Sequence, residues 1–284
     1  MSKELTLMDG GVGTSLWEIA EENGVEKVPV FKYNLENPEL VTELYRRNIA
    51  AGSKIIFANT FGANRHAVKR FAKGHTVEEI VTAGVKLGRE VVDGTDVKLA
   101  VAAGPLTKLL EPFGPLSAEE CADIFDELIG AGVRAGADLI VLQTFLDLEM
   151  MRIAVETVKK YNLPIISMMT FEEHGKTLMG NSVEDIISTL EPMGVSAIGM
   201  NCSMGPEKAI PIIEQFIEKA SVPVAFKPNS GLPVTNDDGT VVAAYTADMF
   251  LEEVKPVLDK VDYIGGCCNC NWTYIQAITD YINK

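Results

Sequence analysis

Histidine is scarce in this sequence, with three in 284 residues, and none stands at a spacing that suits a metal. His66, His75 and His174 fall in helical or loop contexts, so solvent-facing roles are expected for them. The two tryptophans, Trp17 and Trp272, read as rim or core packing. No apolar run approaches the roughly 18 residues that cross a bilayer, which argues against a membrane segment. Met1 to Leu7 lacks a basic stretch followed by a long apolar region, so no secretory signal is expected. Positive charge is also short: 25 Lys and Arg stand against 40 Asp and Glu, a formal charge of −15. A surface so acidic repels phosphate backbones and anionic membranes, which argues against nucleic-acid and membrane partners. No GxGxxG follows the first apolar run, so dinucleotide binding has little support. The Gly-rich turn there also lacks the Lys-Ser/Thr ending of a phosphate loop. Linkers, internal repeats and low-complexity stretches are missing, and residues 1–284 read as one domain.

What is present is ordinary globular composition, 47% hydrophobic and 23% charged, enough to bury a core of useful size. Short β-branched or apolar runs at 5–9, 54–58, 98–102, 138–143, 164–169, 197–201, 222–226 and 261–265 read as strands. Amphipathic stretches at 38–51, 77–94, 118–135, 148–161, 182–193, 205–220, 246–260 and 273–282 read as helices. Ser117 with Glu120, and Ser182 with Asp185, are helix-start signals. Gly136 and Gly194 mark helix ends. Strands alternating with helices, eight times in about 280 residues, predict a (β/α)8 TIM barrel. An open doubly wound sheet is the second choice.

In such a barrel the C-terminal ends of the strands carry the active site. Polar and sulfur residues collect at those ends. They are Asp9 with Gly10 and Gly11, Asn59 with Thr60, Gln143, Asn201 with Cys202, Asn229, and Cys267 with Cys268. Five cysteines are present, and Cys267, Cys268 and Cys270 crowd together. A disulfide framework belongs to small secreted domains, whereas clustered cysteines in a cytoplasmic chain suggest metal binding or catalysis. Cys121, inside a predicted helix, reads as a small buried apolar residue. Adjacent side chains on a strand point to opposite faces, so Cys267 and Cys268 converge only if the strand has ended, which Gly265-Gly266 allows. Cys202 ends a strand on the same rim. Three thiolates at one point suit Zn2+ and leave its fourth position open. An all-sulfur, electron-rich site favours a bound thiolate attacking carbon, a methyl group above all. A closed structural zinc with Cys270 as fourth ligand stays open at this point, as does a redox disulfide. Asp9 suits an ammonium group or a simple Asp-Gly turn. Asn59, Thr60, Asn201 and Asn229 suit substrate orientation or the pairing of strand ends.

These residues also resemble a known family. Asp9-Gly-Gly-Val-Gly-Thr14, Asn59-Thr-Phe-Gly-Ala63, Gly199-Met-Asn-Cys-Ser203, Pro228-Asn-Ser-Gly231 and Gly265-Gly-Cys-Cys268 are similar, in order and over nearly the whole chain, to the homocysteine S-methyltransferase family. That family includes the homocysteine module of corrinoid-dependent methionine synthase, the betaine enzymes and the S-methylmethionine enzymes. The resemblance implies a barrel with zinc on Cys202, Cys267 and Cys268, transfer of a methyl group to homocysteine, and methionine as product. It implies that Asp9, with Gly11, Asn59, Thr60, Gln143 and Asn201, borders the substrate. Two departures stand out. Where the family usually carries a Glu that helps to bind the homocysteine ammonium, this chain has Gln143. A neutral amide makes a contact roughly half as strong as a charged one, which suits a thiol lacking the ammonium. After the paired cysteines the family commonly reads Gly-Thr, and here the chain reads Asn269-Cys270-Asn271-Trp272. The chain leaves no room for the folate, cobalamin and activation modules of full methionine synthase. The donors expected are therefore a methylcobamide on a separate corrinoid protein, S-methylmethionine, or another sulfonium or ammonium. A corrinoid-protein partner acting on a different acceptor is the alternative reading.

Overall fold

Apolar runs buried on both faces form parallel strands when helices cover the sheet. The computed structural model describes residues 5–231, 234–235, 241–242 and 244–284. Its main sheet contains β1 (Thr6–Leu7), β2 (Ile55–Phe57), β3 (Lys98–Ala103), β4 (Leu139–Phe145), β5 (Ile165–Met169), β6 (Ala197–Asn201), β7 (Val224–Lys227) and β10 (Tyr263–Ile264). The order is β1-β10-β7-β6-β5-β4-β3-β2, with every neighbouring pair parallel. A parallel bridge between Met8 and Ile55 joins the two ends, so the sheet closes on itself. The fold is the expected (β/α)8 barrel. A short antiparallel pair, β8 (Val234–Thr235) with β9 (Val241–Val242), lies between β7 and β10 and had no counterpart in the sequence reading.

The helices are α1 (Val12–Glu22), α2 (Tyr33–Glu36), α3 (Pro38–Ala50), α4 (Arg65–Phe71), α5 (Val77–Val92), α6 (Ala118–Arg134), α7 (Leu148–Val158), α8 (Val183–Leu190), α9 (Pro206–Lys219), α10 (Ala247–Val254) and α11 (Trp272–Ile282). Among the described residues, no helix is long and apolar enough to cross a membrane. Ser182 and Asp185 complete the predicted capping box, and Ser117 accepts from the Glu120 amide. Each such cap stabilises its helix by about 1 kcal/mol. Gly136 and Gly194 sit at φ 105° and 83°, the left-handed conformation that ends a helix. Helix α1 was not foreseen: its cap position is Gly11, which has no side chain to cap with, so no start signal marks it. Helices α2 and α4 were also missed, being only 4 and 7 residues long.

Two apolar layers hold the barrel. Inside it lie Met8, Phe57, Ala100, Ala102, Val141, Met168, Ala197 and Ala225. Between strands and helices lies a larger cluster that includes Leu16, Ile56, Phe125, Met169, Ile198 and Phe250. Strand periodicity therefore fixes which residues face inward at the C-terminal mouth. On β4 the inward set Leu139 and Val141 continues to Gln143, and on β7 Ala225 continues to Lys227.

Candidate metal centre and barrel mouth

Strand β10 ends at Ile264, and the chain turns at once through Gly265 and Gly266. The turn is crowded. A Cβ on Gly266 would lie 2.3 Å from the Cβ of Cys270, and one on Gly265 would lie 2.7 Å from the carbonyl oxygen of Asp9. Gly11 packs against the same turn: its amide donates to the Cys270 carbonyl at 2.7 Å, and a Cβ there would meet the Cys267 carbonyl oxygen at 2.3 Å. The Gly-rich segment after β1 is thus the brace of the cysteine turn. Its close approach is the physical reason for glycine at position 11.

That turn brings Cys267 and Cys268 to Cys202 at the end of β6. Their three sulfur atoms lie within 4.8 Å of one another, the one such group of His, Cys, Asp or Glu among the described residues. The Cys202 and Cys268 sulfurs are 3.7 Å apart, and none of the five cysteines is in a disulfide. A tetrahedral ion bound to sulfur at about 2.3 Å holds its ligands about 3.8 Å apart, so the Cys202–Cys268 separation fits zinc. Cys268 is exposed, while Cys202 and Cys267 are half-buried, which leaves one side of the trio open to solvent. Cys270 turns away: it is fully buried, and its thiol contacts the Pro228 carbonyl at 3.7 Å. It stands outside the sulfur group, so no four-thiol arrangement forms. Cys121 is buried in α6, as expected.

The three thiols share charge unequally. Hydrogen bonds from Cys267 and then Cys268 hold the Cys202 thiol well below its ordinary range, with the Asn229 side chain adding to the effect. In turn the Cys202 thiolate, Cys268 and burial push the Cys267 thiol up, and Cys202 pushes up that of Cys268. A divalent cation bound by the three sulfurs would draw off the protons they share.

Asparagines orient the sulfurs. The Asn201 amide donates to the Cys267 sulfur at 3.6 Å and to the Thr144 hydroxyl at 2.8 Å, and its oxygen accepts from the Thr144 amide at 2.7 Å. The Asn229 oxygen accepts from the Cys268 amide at 3.1 Å. The backbone is strained at the same places. Thr144, Cys202, Ser203 and Asn269 all take positive φ, between 60° and 66°. Such conformations persist where surrounding contacts enforce them, and they cluster at functional sites.

The opposite rim differs. Asn59 donates to the Val30 carbonyl and to the Asn34 oxygen, and its own amide donates to the Tyr45 hydroxyl. The Thr60 hydroxyl donates to the Ala102 carbonyl and accepts from the Ala102 amide. Both residues are buried and tie loop to strand. Asp9 is likewise buried. One carboxylate oxygen accepts from the Phe57 amide at 2.7 Å and the other from the Lys227 ammonium at 2.5 Å. Burial pushes the Asp9 carboxyl up, and the Lys227 charge and the Phe57 amide oppose that. Gln143 is half-buried, faces inward, and none of the hydrogen bonds among the described residues engages its amide. Lys227 was missed by sequence reasoning. The available signal was its position two residues after the inward-facing Ala225.

Beside Cys202, a cleft of about 560 Å³ opens between the loops after β5, β6 and β7, lined by Phe171, Ser203, Met204, Glu207, Lys208 and Tyr245 among others. Its size suits a small molecule.

The family model described as homocysteine S-methyltransferase matches residues 6–282. Methionine synthase of Mycobacterium leprae (strain TN) is 25% identical over 295 residues, covering 98% of this chain and 24% of that protein. The chain thus spans about a quarter of the length of the curated relatives it matches. Among solved structures, the metallated homocysteine methyltransferase MmuM from Escherichia coli superposes with a TM-score of 0.81 at 21% identity, over 98% of this chain and 96% of that one. Its apo form superposes with a TM-score of 0.75 at 20% identity, over 98% and 95%. At these identities the structural likeness speaks for the fold.

Proposed function

This chain belongs to the homocysteine S-methyltransferase family, and we propose that it transfers a methyl group to a thiol activated by zinc on Cys202, Cys267 and Cys268. The observation that carries the proposal is the sulfur trio at the barrel mouth, its three sulfurs within 4.8 Å of one another and open on the side of Cys268. Zinc, when bound there, keeps an acceptor sulfur deprotonated at neutral pH. The chain supplies the rest. Asn201 and Asn229 fix the trio with N–H contacts, and such outer contacts set ligand orientation and affinity. Gln143 faces the mouth with an unengaged amide and orients the acceptor. Asp9 and Lys227 neutralise one another beneath the site. The cleft beside Cys202 admits the methyl donor. In the transfer, a bond forms from the acceptor sulfur to the methyl carbon as the bond from carbon to its leaving group breaks, with the electron pair going to the leaving group. No side chain needs to supply a proton.

Homocysteine, with methionine as product, is the reference acceptor that the family supplies. The donor is a methylcobamide on a separate corrinoid protein or a cationic methyl compound. Free clustered thiols suit a reducing compartment such as the cytoplasm. Mass spectrometry on zinc-loaded protein, with methylcobalamin as donor and homocysteine and other small thiols as acceptors, tests the reading. A methylated thiol is expected with the wild type and none with Cys268→Ser. Full zinc retention by each of the Ser variants at 202, 267 and 268 would overturn the proposed centre.

A further inference from the structure

Asp9 is the one buried carboxylate among the described residues, and it lies at the end of the barrel that carries the sulfurs. Its charge is already taken. Lys227 leaves β7, passes Gly265 at the end of β10, and reaches Asp9 at the end of β1. The lysine passes close over that glycine, where a Cβ would stand 3.3 Å from the Lys227 Cε. The ammonium also sits 3.9 Å from the centroid of the Phe57 ring on β2. Lysine and aspartate are both almost wholly enclosed, with side chains 3% and 1% exposed. A buried charge is stable when paired, and this pair is complete without a ligand.

We infer that Lys227 sets the acceptor class: by occupying Asp9 it leaves the inner site with no carboxylate for an ammonium group, and it selects thiols whose tails are neutral or anionic. The inference rests on the proposed thiol methylation and deepens it. Three observations converge. The buried carboxylate is shielded from an incoming molecule on the Lys227 side and bonded to the Phe57 amide on the other. The inward polar group that remains unengaged, Gln143, is neutral and can donate to a carboxylate or hydroxyl. The carboxylates that line the cleft beside Cys202, Glu172, Glu173 and Glu207, are solvent-exposed, where charge contacts are weak; Glu173 is bonded to Lys208 and Glu207 accepts from the Tyr245 hydroxyl.

Calorimetric titration of the zinc-loaded protein with homocysteine and with 4-mercaptobutanoate, which lacks only the amino group, tests this. The wild type is expected to bind 4-mercaptobutanoate at least as tightly as homocysteine. Lys227→Met should free Asp9 and move the ratio of dissociation constants toward homocysteine by about tenfold or more. Adding Asp9→Asn in that background should erase the shift. Homocysteine bound tenfold tighter than its analogue by the wild type overturns the inference, as does a folded Lys227→Met protein with an unchanged ratio. Should Lys227→Met fail to fold, the wild-type ratio decides alone. If neither thiol binds zinc-loaded wild type, the proposed function falls and this inference with it, whereas homocysteine-selective binding removes the inference only.

Discussion

The two sides of the barrel mouth are built from similar residue types and behave differently. On the side of β1, β2 and β3, four polar residues are saturated: Asn59, Thr60, Asn34 and Tyr45 bond one another or nearby backbone, all within the core. On the side of β4, β6 and β10, four non-glycine residues hold positive φ, Gln143 is unengaged, and three sulfurs crowd within 4.8 Å with one face open. Saturation marks architecture, because a polar group that has its partners gains nothing from a ligand. Strain and unspent bonding capacity mark the working side, because something outside the chain must complete them. Asp9 stands at the seam, polar and at a strand end, yet already paired by Lys227.

The comparison is sharpened most by Asn201→Ala. This substitution removes the donor to the Cys267 sulfur and both contacts that hold Thr144 at φ 66°. Loss of an outer contact of this kind lowers metal affinity by about 10–100-fold. Competition with a zinc chelator should read that loss while the barrel stays folded. An unchanged affinity would break the comparison, since the working side would then owe nothing to its hydrogen bonds.

How far the sequence revealed this division depends on range. Strands β5 and β6 were legible almost to the residue: β6 is an apolar run that ends in Asn201, and β5 is apolar but for Ser167 and stops before Thr170. The convergence of Cys267 and Cys268 was legible too, since it requires that the strand has stopped and Gly265-Gly266 permits the turn. What no local pattern carries is a contact between residues 218 positions apart, as in the pair of Lys227 and Asp9. Nor does a dipeptide such as Asn59-Thr60 disclose that its hydrogen bonds run inward to Asn34 and Ala102. Residue type at a strand end gave the place of the mouth. Only the three-dimensional partners separate a group that waits for a ligand from one that ties a loop.

Thr60→Val, on the saturated side, should have the opposite signature to Asn201→Ala. The hydroxyl both donates to and accepts from Ala102, and valine leaves that buried backbone amide without its side-chain partner. The expected loss is about 2 kcal/mol of stability. Thermal unfolding should show a midpoint lowered by several degrees, while zinc content stays at the wild-type value. A loss of zinc at unchanged stability would move Thr60 to the working side.

The smallest effect is expected where the two sides meet. Cys270 follows the sulfur pair so closely that sequence alone admits it as a fourth ligand. Yet its thiol is buried against the Pro228 carbonyl, and its backbone carbonyl accepts from the Gly11 amide. Cys270→Ala removes one buried sulfur and keeps every backbone bond of the turn. A weak S–H contact and a small loss of packing are worth about 1 kcal/mol, within the ordinary range for a core substitution. Zinc content by mass spectrometry under native conditions should be unchanged, and methyl transfer with it. If instead Cys270→Ala released the metal, the turn must rearrange on loading to present four thiols. The open position at Cys268 would then close, and the centre would be structural. Retention of zinc with three thiols keeps that position for an acceptor, which is what separates a centre that reacts from one that only holds the fold.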